Sequence, residues 1–314
     1  MNPLNGLLLV DKPVGITSHD VVYRARRILG LRAIGHAGTL DPLASGLLVL
    51  LLGEATKVSD YLLNENKAYQ FKVRLGLRTD SMDITGKVID ETEVDLPPER
   101  IFQAVSALSG VLTLEVPVHS AVKVDGQKLY ELAHRGEKPD FVPSREMNFY
   151  DVRVGEMTGN SVVVNLQCSK GSFVRAWANR LGDDLGVGGC VETLRRVGSN
   201  PFSVEDAIGL DQLETVWNAR SQRDGREIGS AWIPLTESLP HFRRIEVAGQ
   251  DERLLKNGQI SNALKMQLLP FVPASSEARP PPVRVIARES NDLLALLIAE
   301  QGEFYKIKRV FLRA

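Results

Sequence analysis

At 314 residues the chain exceeds the usual size of one domain, so one large domain with a smaller companion is expected. Its 43% hydrophobic and 25% charged residues are ordinary for a globular protein and exclude the disordered and fibrous classes. A net charge of -1 points to no nucleic-acid partner by itself, because phosphate binding needs clustered Lys and Arg rather than a global excess.

The first section alternates apolar strands with amphipathic segments. GLLLV (residues 6–10) reads as a strand, HDVVYRARRILG (19–30) as a helix, GLLVLLLG (46–53) as a buried strand and EATKVSDYLL (54–63) as a helix. GLLVLLLG is too short to cross a bilayer, which takes about 20 apolar residues. From residue 68 the strands follow one another more directly: AYQFKVRLG, GKVIDETEV, HSAVKVDGQ, NFYDVRVGEM and SVVVNLQC, with turns predicted at Asp125-Gly126 and Gly159-Asn160. PPERIFQAVSALSG, opened by Pro and closed by Gly, predicts a helix over 98–109. SKGSFVRAWANRLGDDLG reads as a loop feeding a helix over 172–184, LDQLETVWNARSQ as a further helix, and RDGREIGS as a polar connector. From about residue 240 the pattern becomes short strands around one helix: FRRIEV, QDERLLKN, a turn at Asn257-Gly258, then VRVIARE, LLALLIAE and YKIKRVFL. PASSEARPPP (273–282) reads as a mobile Pro-rich loop. A mixed, mainly antiparallel sheet flanked by helices, of α+β class, is expected, followed by a small β-rich module.

Asp41, in GHAGTLDPLASGLL (35–48), stands between a Gly-rich approach and a Pro. Asp-Pro is the N-cap and N1 signature of a helix, so a capping carboxylate is one reading. Glycines that permit close backbone approach to a ligand, with His36 in the same block, leave a nucleophilic carboxylate as another. The order GxxxxGK[ST] is absent, against a phosphate loop, and no ligand spacing among the 5 His suggests a metal. Asp80 and Asp83, in RTDSMD, read as turn residues bonding their own backbone. Tyr69 and Phe173 each lie beside Lys or Arg, the combination that stacks a base and meets phosphate. Arg175 follows two residues after Phe173, and an Arg near a lone Asp would aim its carboxylate. The basic clusters 24–32, 194–198 and 306–313 read singly as solvated faces. Cys168 and Cys190 lie outside any ligand spacing, and the first residues lack the pattern of a signal peptide, so reduced thiols in the cytoplasm are expected.

These blocks resemble the TruB family of bacterial tRNA pseudouridine synthases. The resemblance runs in order through GLLLVDKPVGITSHDVV, GHAGTLDPLASGLL, GEATK, KAYQFKVRLGLRTDSMD, PVHSAVKVDGQKLYELAHRG, QCSKGSFVRAWANRLGDDLG and TLRRVGSNPF. It implies a pseudouridine synthase catalytic domain over residues 1–238 and a small PUA-like RNA-binding domain over 239–314. It also implies isomerisation of uridine 55 in the T-loop of tRNA, without cofactor or metal, by a cytoplasmic monomer that binds the T-arm and no membrane. In the family's pattern Asp41 is the indispensable carboxylate, which attacks C1′, adds to C6 or removes the C2′ proton. Arg175 pairs with it. Tyr69 packs on the target base and is a candidate for proton transfer, His36 stacks in the disrupted T-loop, and Leu194 walls the uracil site. Phe173 stands where the family typically has Tyr, which keeps the stacking face and loses a hydroxyl. Two other readings stay open: a noncatalytic tRNA-binding or tRNA-folding protein, and a related synthase acting on ribosomal RNA or with a guide RNA.

Overall fold

The computed structural model describes residues 4–135, 137, 141–219, 224–272, 280–300 and 302–311. The first strands and helices are β1 (Gly6–Lys12), α1 (Ser18–Leu29), β2 (Ile34–His36), β3 (Ala44–Leu52), α2 (Ser59–Leu63), β4 (Lys67–Leu75), β5 (Leu77–Thr79), β6 (Val88–Glu91), α3 (Pro98–Ala107) and β7 (Gly110–Glu115). There follow β8 (Lys123–Val124), β9 (Gln127–Lys128), α4 (Leu129–His134), β10 (Ser144–Thr158), β11 (Ser161–Cys168), α5 (Val174–Leu185), β12 (Gly189–Ser199), β13 (Phe202–Ser203), α6 (Leu210–Asn218) and β14 (Trp232–Pro234). The last part holds β15 (Arg243–Val247), α7 (Gln250–Lys256), α8 (Asn262–Leu268), β16 (Val283–Ala287), β17 (Leu293–Ile298) and β18 (Lys306–Val310).

Among the described residues one large sheet runs β14-β1-β3-β12-β4-β11-β10-β7, with β2 paired to β3 and β13 to β12. It is antiparallel except where β12 runs parallel to β3, so the mixed, mainly antiparallel sheet of an α+β fold is what the chain builds. β3 is buried along nearly its whole length, as a run of Leu and Val with no polar alternation requires. β4 alternates instead: Phe71, Val73 and Leu75 face the core, and Gln70 faces water.

Two helices set the site. α1 begins with a capping box in which the Thr17 side chain accepts from the Asp20 amide and the Asp20 carboxylate accepts from the Thr17 amide. α5 buries Val174, Trp177, Leu181 and Leu185 at helical spacing and ends at Gly186 with φ 78°. Trp177 anchors it: the indole meets Phe71 edge-to-face at 5.5 Å, and its Nε1 donates to the Leu108 carbonyl at 2.9 Å.

Several expected elements change. EATKVSDYLL divides into a 3-10 turn, Gly53–Val58, and the short α2. HSAVKVDGQ supplies only the two-residue strands β8 and β9 around the Asp125-Gly126 turn. GKVIDETEV narrows to β6. RDGREIGS contains the 3-10 segment Gly225–Ala231. The largest omission is β12, the strand between β3 and β4; α8, β2, β5, β7 and β14 were also unforeseen.

The second sheet, β15-β16-β17-β18, closes over its own core of Ile245, Leu255, Leu264, Val285 and Leu297. Its other face packs on the large domain through Ile286, Leu293, Leu296 and Phe311. Lys57 fastens the junction, donating to the Val310 carbonyl at 3.1 Å beneath the Phe311 ring. Residues 273–279 of the Pro-rich stretch lie outside the described residues. Pro281, just beyond them, accepts from the Tyr305 hydroxyl at 2.8 Å.

Gly46 shows how closely β3 and β12 approach. It sits at φ 98°, and a Cβ there would lie 2.3 Å from the Arg196 carbonyl oxygen. Gly46→Ala should therefore lower stability by about 2–4 kcal/mol, from backbone strain plus overpacking. Urea unfolding of the purified variant measures this; an unchanged midpoint would refute the close approach.

Candidate active site

Asp41 does not cap a helix. Pro42 follows it into a β-turn, with the Ala44 amide donating to the Asp41 carbonyl at 3.0 Å, and the chain then enters β3. Proline's fixed φ suits the second position of a turn as well as the first turn of a helix, which is why the sequence alone left both open. The carboxylate is freed from capping duty and is 39% exposed.

Arg175 reaches it from the first turn of α5. Its Nε lies 3.0 Å from Asp41 Oδ2, while the guanidinium is only 5% exposed. Nη1 donates to the Ser81 carbonyl at 3.0 Å and Nη2 to the His119 carbonyl at 2.9 Å. Each edge of the planar fork is thus occupied, and the side chain has little freedom to swing. Asp83 Oδ2 stands 3.8 Å from Nη1 and is itself buried. Asp83 also accepts from Ser81 Oγ and from the Thr85 amide, and Asp80 accepts from the Lys87 amide, so both carboxylates stabilise their own turn.

The Asp41–Arg175 pair forms one wall of an open cavity of about 420 Å³. That is within the ordinary range for a small-ligand site. Tyr69, Phe173 and Leu194 line the same cavity, with Ser120, Val122, Lys123 and Arg145. Phe173 and Arg175 reach it from the junction of loop and helix expected for this segment: Phe173 is the extended residue that precedes α5, at φ -121° and ψ 113°, and Arg175 is already helical. Tyr69 comes from β4 and Leu194 from β12. Burial pushes the Tyr69 phenol above its usual pKa, with the Arg196 charge opposing, so the hydroxyl stays protonated at neutral pH.

His36 is not among the residues lining this cavity. It ends β2, edge-on to His19 at 5.8 Å between ring centres, with its Nδ1 buried and without a hydrogen-bond partner among the described residues. Burial, with His19 and Arg196, holds its pKa below the usual imidazole value. Among the described residues no group of three or more His, Cys, Asp or Glu is placed to hold a metal ion.

Several residues around the site escaped the sequence. Lys12 is fully buried, donating from Nζ to the Ile16 carbonyl at 2.7 Å and the Pro13 carbonyl at 3.0 Å. Burial lowers its pKa to about 8, partly offset by the charge of Asp41. In LRRVG the two arginines part company: Arg195 forms a forked pair with Asp11, at 3.0 and 2.7 Å, whereas Arg196 points into the protein. The solvated-face reading of that cluster is corrected by Arg196. Neighbouring side chains of a strand point to opposite faces, which is how β12 sends Arg195 to Asp11 and Arg196 inward. Ser120 Oγ is buried at the cavity wall without a hydrogen-bond partner among the described residues.

Comparison with known proteins identifies two matching family models. Residues 26–174 match the N-terminal domain of the TruB family pseudouridylate synthases, and residues 175–239 match the tRNA pseudouridylate synthase B C-terminal domain. The tRNA pseudouridine synthase B of Bdellovibrio bacteriovorus is 43% identical over 312 residues, covering 99% of this chain and 98% of its own. That of Ralstonia pickettii is 35% identical over 312 residues, covering 98% and 94%. Among solved structures, a chain from a Cbf5-Nop10-Gar1 complex superposes with a TM-score of 0.70 at 25% identity, covering 98% of this chain and 85% of its own. A chain from an H/ACA RNP bound to a substrate RNA containing 2′-deoxyuridine gives the same TM-score at 23% identity and the same coverage, a likeness of fold.

Proposed function

Because the chain belongs to the TruB family of pseudouridylate synthases, we infer that it isomerises uridine 55 in the T-loop of tRNA, with Asp41 as the reacting carboxylate. The chain is a tRNA pseudouridine synthase, an isomerase whose partner is RNA. The choice of uridine and the roles of individual side chains are the inference. The observation that carries it is the 3.0 Å contact between Arg175 and a partly exposed Asp41 in the wall of a cavity lined by two aromatic rings.

The reaction breaks N1–C1′, turns the uracil and forms C5–C1′, while a proton leaves C5 and N1 gains one. Nothing is oxidised or reduced and no atom is added, so the bond changes require neither a redox cofactor nor an energy source. The nucleotide must leave the base stack, at a cost of a few kcal/mol. Stacking on an aromatic ring contributes about 1–3 kcal/mol per base, so Tyr69 and Phe173 offset much of it. In this reading Asp41 meets the sugar or base and Arg175 aims it. Leu194 excludes water, and Tyr69 presents its ring face and a protonated hydroxyl. Ser120 offers a hydroxyl still to be satisfied, and His36 contacts the RNA outside the cavity.

Lys123 and Arg145 are exposed at the cavity and have no ion-pair partner among the described residues. They are suited to the phosphates on either side of the turned-out nucleotide. Tritium release from a T-arm stem-loop labelled at uracil C5 tests the function, and loss of activity when uridine 55 is replaced tests the position. In the same assay Lys123→Ala and Arg145→Ala should raise KM, leave kcat unchanged and reduce the salt dependence of KM by roughly 0.7 in log–log slope for each phosphate released. An unaltered slope would exclude both from phosphate binding.

The sheet ending at β14 and the sheet beginning at β15 support a division into a catalytic domain, residues 1–238, and a PUA-like RNA-binding domain, residues 239–314. Among the described residues no helix is long and apolar enough to cross a membrane. A cytoplasmic monomer completes the proposal.

A further inference from the structure

Arg196 is 1% exposed, and no carboxylate lies within ion-pair distance of it among the described residues. A buried guanidinium without a counter-charge is costly unless its N–H groups are satisfied. Here main-chain carbonyls do this: Nε donates to Leu47 at 2.7 Å, Nη2 to Gly38 at 3.2 Å and Nη1 to Thr39 at 3.4 Å. Leu47 belongs to β3. Gly38 and Thr39 are the residues that lead into Leu40 and Asp41, so the fork holds both ends of the loop on which Asp41 stands. Gly38, at φ 101°, turns its carbonyl in a part of conformational space that other residues rarely adopt.

Arg196 also reaches the opposite wall. It is the cross-strand partner of Tyr69 in the β12–β4 ladder, a register that sets the two side chains beside each other on one face of the sheet. One buried, rotationally fixed side chain therefore holds the loop carrying the carboxylate and stands beside the ring expected to stack on the base. Carbonyl ligands suit such a role. They fix the cation without adding a negative charge that would compete with Asp41 for Arg175 or repel it.

We propose that Arg196 is a positioning residue that sets Asp41 and Tyr69 at a fixed separation for the isomerisation. The proposal rests on the cavity being the active site. Misplacement by about 1 Å of a reacting group costs on the order of 100-fold in rate. Arg196→Gln should accordingly lower kcat by roughly that factor while KM and RNA affinity stay near wild type. Arg196→Lys, which keeps the charge and loses the fork, should recover only a small part.

The test measures kcat and KM by tritium release on the T-arm, RNA affinity by filter binding, and folding by near-ultraviolet circular dichroism, for both variants in wild-type and Tyr69→Ala backgrounds. If Arg196 acts partly by placing the Tyr69 ring, the losses in kcat are less than additive. Full additivity, a loss confined to KM, or wild-type kcat in either variant would overturn the proposal. Should Arg196→Gln not fold, Arg196→Lys in the two backgrounds decides the same question. Wild-type protein inactive on the T-arm would instead refute the substrate assignment, and that is seen before any variant is compared.

Discussion

Asp41→Asn abolishes pseudouridine formation, by roughly 10⁴-fold or more as when a reacting side chain is removed, while tRNA binding and thermal stability remain those of the wild type. The amide keeps the shape of the carboxylate and one oxygen for Arg175. The side chain is 39% exposed, so little of the fold depends on its charge. Tritium release and filter binding on one protein preparation separate the two quantities. Turnover above about a hundredth of wild type would remove Asp41 from the chemistry.

Arg175→Met is expected to affect both activity and stability. Its loss removes the cation beside a buried Asp83 and the bonds that Arg175 donates to the Ser81 and His119 carbonyls. Asp83 keeps its bonds from Ser81 and Thr85, so the loss of stability should be about 2–4 kcal/mol, at or below the usual cost of breaking a buried pair. The rate should fall by on the order of 100-fold or more because the contact that aims the Asp41 carboxylate itself is lost. Arg175→Lys is the informative control. A single ammonium cannot reach Asp41 and both carbonyls together, so it should stay folded and still turn over slowly. If Arg175→Lys were fully active, charge rather than the fork would be what Asp41 needs.

The Gly-rich block around Asp41 and the aromatic-plus-base clusters at Tyr69 and Phe173 are short-range signals that left their roles open, and the resemblance to the TruB family is what grouped Asp41, Tyr69, Arg175 and Leu194 as one candidate site. The structure brings Asp41, Tyr69, Phe173, Arg175 and Leu194 to one cavity and leaves His36 outside it. In the fold, the leucine run of β3 and the alternation of β4 announced themselves. β12 did not. GCVETLRRVGS mixes charge with small residues because one face must satisfy Asp11 and the other must bury Arg196, and that pattern reads as surface. Arg196 was hidden for the same reason. A buried base is recognised only when the carbonyls it serves are in view, and these lie about 150 residues earlier in the chain.

The late place of β12 in the chain governs how the enzyme comes into being. Until residues 189–199 have left the ribosome, β3 and β4 have no strand between them, and β4 presents an unpaired edge, as does the part of β3 that β2 does not cover. Asp41 and Tyr69 are synthesised early, yet Arg175 and Leu194, and the cavity they close, arrive only with the second half of the chain. The nascent protein thus carries its carboxylate unaimed through most of its synthesis. Assembly of the site waits on contacts of high sequence separation, a slow step during which the two open edges are vulnerable to aggregation.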